Sequence, residues 1–171
     1  MKKIGIIGCG NWSKTIISEV KKNNHFLFNS IVCRSKGNIE LDEKIIIFKK
    51  NEDLINSKII DCIFVAAEPK TNLEIIRLLS QHNYPIILEK PLSDTFLNSK
   101  KIKEICEEKD RIILPNLTNL FSEIYDRIDD YIKLNLDQIK RIIIVEGNNG
   151  PIRKYVNPIW DWGFHPLSLI N

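Results

Sequence analysis

Long apolar runs are missing from this chain. No segment reaches the ~18 consecutive apolar residues of a membrane span. Met1-Lys2-Lys3 is a charged start, and Ile4 to Gly8 is too short for the apolar region of a secretory signal, so a cytoplasmic location is expected. Cysteine pairs at metal-binding spacing are missing too. The four cysteines, Cys9, Cys33, Cys62 and Cys106, form no C-x-x-C motif, which argues against zinc and any other metal site. Three of them sit in or beside apolar runs, so buried free thiols in a reducing cytosol are the expected state. Excess charge is also absent. A net charge of +3 over 171 residues is small for a nucleic-acid binder. The pairs Lys49-Lys50 and Lys100-Lys101 read as solvated surface. There is no internal repeat and no low-complexity linker. With 43% hydrophobic and 27% charged residues, wholesale disorder and a collagen-like fibre are excluded. The length holds one domain with a proper core and an appendage, but not two domains of typical size.

What is present is isoleucine, roughly a fifth of the chain and far above average usage. Short apolar runs rich in β-branched residues alternate with longer mixed segments. Strands are expected at Lys3 to Gly8, Phe26 to Cys33, Ile45 to Phe48, Ile59 to Ala67, Pro85 to Leu88, Arg111 to Leu114 and Ile139 to Val145. Helices are expected at Asn11 to Lys22, Thr71 to His82, Ser93 to Lys109 (with Ser93 as cap) and Phe121 to Lys133, with a turn or two at Glu52 to Ser57. This alternation predicts an α/β fold with a doubly wound, Rossmann-like parallel sheet. Continuous apolar strands such as Ile59 to Ala67 suit a sheet covered on both faces. The regular pattern changes near Leu134 to Gln138.

Glycine is scarce, and three of the seven glycines fall in the first ten residues: Gly5, Gly8 and Gly10. Gly8-Cys9-Gly10-Asn11-Trp12-Ser13 follows the first strand and opens a helix, which is the context a G-x-G-x-x-G fingerprint requires. Gly8 allows a tight turn. Gly10, without a Cβ, lets the backbone approach a pyrophosphate, and the helix start offers N–H groups and a positive dipole end. Ser13, in the third glycine's place, is small enough for close packing. The second strand ends Val32-Cys33-Arg34-Ser35-Lys36, with no carboxylate before Glu40. Arg34, Ser35 and Lys36 suit a ribose 2′-phosphate, so NADP is preferred over NAD. The alternative is that Arg34 stacks on an adenine or stands in solvent, and either cofactor serves.

Three further stretches, read with this loop, resemble the glucose–fructose oxidoreductase / inositol dehydrogenase (Gfo/Idh/MocA) family over essentially the whole chain. Ala66-Ala67-Glu68-Pro69-Lys70-Thr71-Asn72 is similar to the family's segment between a strand and a helix. Glu89-Lys90-Pro91 is similar to its E-K-P signature, and Asp161-Trp162-Gly163-Phe164-His165 to its D-x-G-x-H. The resemblance implies a catalytic group of Lys90, Asp161 and His165, with His165 handling the proton. It implies cofactor contacts at Gly8, Gly10, Asn11, Trp12, Arg34, Ser35, Ala67, Glu68, Pro69, Asn72, Glu89, Lys90 and Asn116. The chain departs from the family at Ser168, where an acidic residue is common, and at Pro115 to Asn119, which has no arginine. Trp160 and Trp162 either wall a sugar-sized site or belong to a core.

The expected function is an NAD(P)-dependent oxidoreductase acting on a hydroxyl or ketone of a sugar, nucleotide-sugar or polyol. The rival expectation is a dinucleotide-binding module or enzyme fragment without turnover. Residues 1–117 are expected to form the dinucleotide domain, and 118–171 a connecting helix and the incomplete start of a second α+β domain. A homo-oligomer or a partner chain completing that sheet is expected to go with it.

Overall fold

The computed structural model describes residues 1–34, 39, 41–145, 147 and 157–169. In order they form β1 (Lys2–Ile7), α1 (Asn11–Lys22), β2 (Phe26–Val32), β3 (Ile46–Phe48), α2 (Asn51–Asn56) and β4 (Cys62–Val65). There follow α3 (Asn72–Leu79), β5 (Ile86–Leu88), α4 (Phe96–Glu108), β6 (Ile113–Pro115), α5 (Glu123–Asn135), α6 (Pro158–Trp162) and α7 (Phe164–Ser168). The six strands make one sheet in the order β3-β2-β1-β4-β5-β6, and every pairing is parallel. This is the doubly wound Rossmann order.

Alternation along the central strands explains why their sequences read as unbroken apolar runs. Ile63 and Val65 of β4 join Ile7, Leu54, Ile76 and Leu88 in one core layer. Phe64 points the other way, to Ile4, Ile6, Ile16, Ile17 and Ile31. Both faces of the sheet are therefore covered, as a parallel sheet requires. The stripe Ile16 and Ile17 is what α1 contributes.

Several expectations are corrected. The fourth strand begins only at Cys62, because Lys58 takes a positive φ of 56° and the Asp61 carboxylate receives the Lys3 backbone N–H at 2.7 Å. The cap of α4 is Thr95, whose hydroxyl accepts from the Asn98 N–H at 3.2 Å. Ser93 is buried, and its hydroxyl donates to the Thr95 carbonyl at 2.8 Å instead. Ile139 to Val145 is not a strand: it is irregular, with Ile142 to Val145 exposed, and among the described residues no strand pairs with it. An apolar β-branched run becomes a strand only when a neighbour takes its N–H and C=O groups.

The cysteine expectation is also overturned. Cys9 and Cys33 form a disulfide with Cα atoms 5.3 Å apart; only Cys62 and Cys106 are free. Their sequence separation of 24 residues conceals that β1 and β2 are lateral neighbours, with Ile7 paired to Val32. Among the described residues no helix is long and apolar enough to cross a membrane. No cluster of three metal-ligating side chains occurs among them either. The chain divides into two compact units, Met1–Pro115 and Asn116–Asn171.

Candidate functional site

The carboxyl ends of the strands are aligned. Ile7 pairs with Val32 and Val65, Val32 with Phe48, Val65 with Leu88, and Leu88 with Pro115. Gly8, Cys33, Lys49, Ala66 and Glu89 therefore all start loops at one edge of the sheet. Between β1 and β4 the strand order reverses, and there the outgoing loops leave a crevice. That crevice is a cleft of about 530 Å³ whose lining includes Gly8, Cys9, Gly10, Arg34, Asn51, Ala67, Glu68 and Lys70.

The glycine loop is built for close approach. Gly8 has φ +113°, and a Cβ there would lie 2.3 Å from the Ala66 carbonyl oxygen. Its N–H donates to the Val32 carbonyl at 3.2 Å, which ties the loop to β2. Ser13 is fully buried, and its hydroxyl donates to the Gly8 carbonyl at 3.0 Å, so the third motif position braces the turn from below. A Cβ on Gly10 would meet nothing within 4 Å. No side chain caps α1, and its first turn holds no acidic residue. An anion over Gly10 would find open space and uncapped N–H donors. On these observations the residues fit the pyrophosphate of a dinucleotide.

Charge at the β2 side of the cleft is positive. Arg34 is exposed, and the Lys49 ammonium donates to the Cys33 carbonyl at 3.0 Å, beside it. Glu68 at the opposite wall pairs with Lys70 at 2.7 Å; both are exposed, so the pair adds little stability while offsetting local charge. Asn51 is 6% exposed, and its Oδ1 has no hydrogen-bond partner. A buried acceptor left unmatched is costly, and this one belongs to a residue lining the cleft, where a ligand N–H or O–H could satisfy it. Sequence reasoning missed both Lys49 and Asn51. Their only local signal is a polar pair and an Asn after a short strand; it is the sheet order that brings them beside Arg34.

The remaining expected contacts are distributed as follows. Asn11 and Trp12 open α1, and the Trp12 indole N–H donates to the Glu89 carboxylate, joining the first and fifth strand ends. Pro69 starts a 3-10 turn at Pro69–Thr71. Asn72 is 1% exposed; its amide donates to the Leu92 carbonyl at 3.1 Å, which places it under the loop after Lys90 rather than in the cleft. Lys90 is half-buried and joined to Pro91 by a cis peptide. Ser35, with Lys36 and Glu40, lies outside the described residues.

The second unit begins at Asn116, directly after β6. Asp161 is buried in α6, and His165 lies in α7 after the turn at Gly163. His165 Nδ1 is 3.3 Å from Asn119 Nδ2, and its ring centroid is 5.6 Å from that of Trp162. Asn119 is a further residue missed from the sequence, since it lies 46 positions from the histidine. Trp160 packs edge-on against Phe164, with centroids 5.7 Å apart.

Comparison with known proteins agrees with this geometry. The model of an oxidoreductase family, GFO_IDH_MocA, described as having an NAD-binding Rossmann fold, matches residues 2–117. No curated protein matches the chain. A protein from Magnetospirillum magnetotacticum MS-1, assigned as an oxidoreductase, superposes with TM-score 0.81 at 21% identity, covering 99% of this chain and 55% of that one. Scyllo-inositol dehydrogenase from Lactobacillus casei, solved with NAD(H) and scyllo-inositol, gives 0.68 at 18%, covering 81% and 41%. Biliverdin reductase from Synechocystis sp. PCC 6803, solved with biliverdin and NADP+, gives 0.69 at 19%, covering 98% and 56%. At these identities the likeness is one of fold, and the chain spans about half the length of these proteins.

Proposed function

We propose, because the chain belongs to the GFO_IDH_MocA oxidoreductase family with its NAD-binding Rossmann fold, that it holds a nicotinamide dinucleotide in the cleft between β1 and β4 and serves hydride exchange with a hydroxyl or ketone carbon of a sugar, nucleotide-sugar or polyol. One observation carries the reading: the left-handed Gly8 and open-faced Gly10 stand before an uncapped helix at the point where strand order reverses. Gly8, Gly10 and the N–H groups of Asn11 and Trp12 would hold the pyrophosphate. Arg34, with Lys49 beside it, would hold a ribose 2′-phosphate, so NADP is the preferred form. Ala67, Glu68 and Pro69 would border the cofactor, and Glu89 and Asn116 its far half.

The nicotinamide, when bound, supplies the two-electron chemistry. In this reading Lys90 holds the substrate oxygen and offsets negative charge that develops on it. His165 takes or returns the hydroxyl proton, and Asp161 positions the site. Asn119, in contact with Nδ1, would orient the imidazole for that exchange.

Fluorescence titration with NADPH and NADH tests the cofactor half. Arg34→Asp is expected to reverse the preference towards NADH; an unchanged ratio would defeat the 2′-phosphate argument. His165→Ala is expected to lower turnover on the responsive sugar or polyol by about 100-fold or more while leaving cofactor affinity nearly unchanged. Surviving turnover would remove the proton role from His165, and absence of binding to either nucleotide would sink the whole reading.

A further inference from the structure

Two sulfurs span the gap that the adenosine end of a dinucleotide has to cross. In a Rossmann unit the pyrophosphate sits on the glycine loop, and the ribose reaches to the residue closing the second strand. Here those two points are Gly8–Gly10 and Arg34. Cys9 lies inside the first, and Cys33 immediately precedes the second, with Cα atoms 5.3 Å apart, within the range a disulfide bridges. Cys9 lines the cleft, as do Val32 and Arg34 on either side of Cys33. Cys33 itself is 7% exposed, so Cys9 is the sulfur a small reagent reaches first.

We propose that Cys9 and Cys33 are a redox-active dithiol whose oxidation to the disulfide weakens dinucleotide binding in this cleft. The inference rests on the dinucleotide reading of the cleft. The oxidant is a low-molecular-weight disulfide. The Cys9 thiolate attacks one of its sulfurs, forming a mixed disulfide and releasing one thiolate. The Cys33 thiolate then attacks the Cys9 sulfur, forming the Cys9–Cys33 bond and releasing the second. Two electrons pass from the cysteines to the oxidant, and the two thiol protons end on the released thiols. The bridge fixes the glycine loop covalently to the end of β2. The reduced chain leaves the Gly8 N–H to Val32 carbonyl bond to tie them, and the Cys9 side chain can turn as the ribose passes. Coupling between two events is reciprocal, so bound dinucleotide favours the dithiol by the same factor. The other two cysteines are poor competitors: burial pushes the Cys62 and Cys106 thiols up, with Asp61 and Glu107 adding to it, and the thiolate is the reactive form.

The test uses the full chain, prepared with dithiothreitol or with oxidised glutathione, and NADP+ as probe. Thiol counting under denaturing conditions is expected to give four thiols in the reduced form and two in the oxidised. Calorimetric titration is expected to show NADP+ binding about tenfold weaker to the oxidised form, and saturating NADP+ to shift the glutathione redox midpoint towards the dithiol correspondingly. Cys9→Ser is expected to bind NADP+ identically after either treatment, and Cys33→Ser, which cannot resolve the mixed disulfide at Cys9, to gain the mass of one glutathione on oxidation. The Cys62→Ser/Cys106→Ser double variant is expected to keep the full redox response. Four thiols after oxidation, or equal affinity in two verified redox forms, overturns the dithiol inference and leaves the dinucleotide reading standing. No NADP+ binding in either form overturns both.

Discussion

Gly8 and Gly10 stand two residues apart and carry different burdens, which makes them separable by mutation. Gly8 needs its glycine for the fold: φ is +113°, and an added Cβ would sit 2.3 Å from the Ala66 carbonyl oxygen. Backbone strain of this kind costs on the order of 1–3 kcal/mol before the steric clash is counted. Gly8→Ala is expected to lower the unfolding midpoint clearly in a urea melt, and to lose cofactor binding with it. Gly10 has ordinary φ −79° and open space where the Cβ would go. Gly10→Ala is expected to change stability by less than about 1 kcal/mol. It would nevertheless weaken NADP+ binding, because the new methyl occupies the surface the pyrophosphate approaches. A Gly10→Ala protein with full affinity would show that the anion does not sit over that residue. This pair was legible from sequence because a turn between a strand and a helix is local. Asn51 was not, since its meaning depends on an unmatched buried Oδ1 beside a cleft that two distant loops create.

At the scale of elements, α1 and the strand–helix alternation are legible in the sequence, and the lateral arrangement is not. The α1 span follows from its own apolar stripe and the glycines before it. The alternation of strands and helices implied parallel pairing, but the lateral order β3-β2-β1-β4-β5-β6 is set by which cores bury together. Only that order reveals that Cys9 meets Cys33 and that Lys49 meets the Cys33 carbonyl. Helix boundaries fail differently. Ser93, Thr95 and Ser99 are all plausible by type near the start of α4, and hydrogen bonding selects among them: Thr95 takes the Asn98 N–H, while Ser93 is turned inward to the Thr95 carbonyl and the Ser99 hydroxyl. Thr95→Ala is therefore expected to destabilise the protein by about 1 kcal/mol, and Thr95→Ser to recover most of it. Equal stability of Thr95→Ala and the parent in chemical denaturation would show that the cap contributes nothing.

For the whole molecule, the decisive fact is where the cores lie. Every buried residue of the two core layers falls between Ile4 and Ile102. Cleft-lining residues lie between Ile7 and Ile75. The residues proposed to hold the pyrophosphate and the adenosine ribose thus belong to the unit Met1–Pro115, whereas Asn116, Asn119, Asp161 and His165 belong to Asn116–Asn171. A domain with its own cores and aligned strand ends should fold without the rest of its chain. A protein of residues 1–117 is expected to melt cooperatively by circular dichroism. It is expected to bind NADP+ within about threefold of the 171-residue chain. It should show no turnover, because the proposed proton-handling histidine is gone. Loss of cooperative melting would mean that the sheet depends on residues beyond 117. Intact folding with affinity lost by tenfold or more would instead assign part of the cofactor site to residues beyond 117.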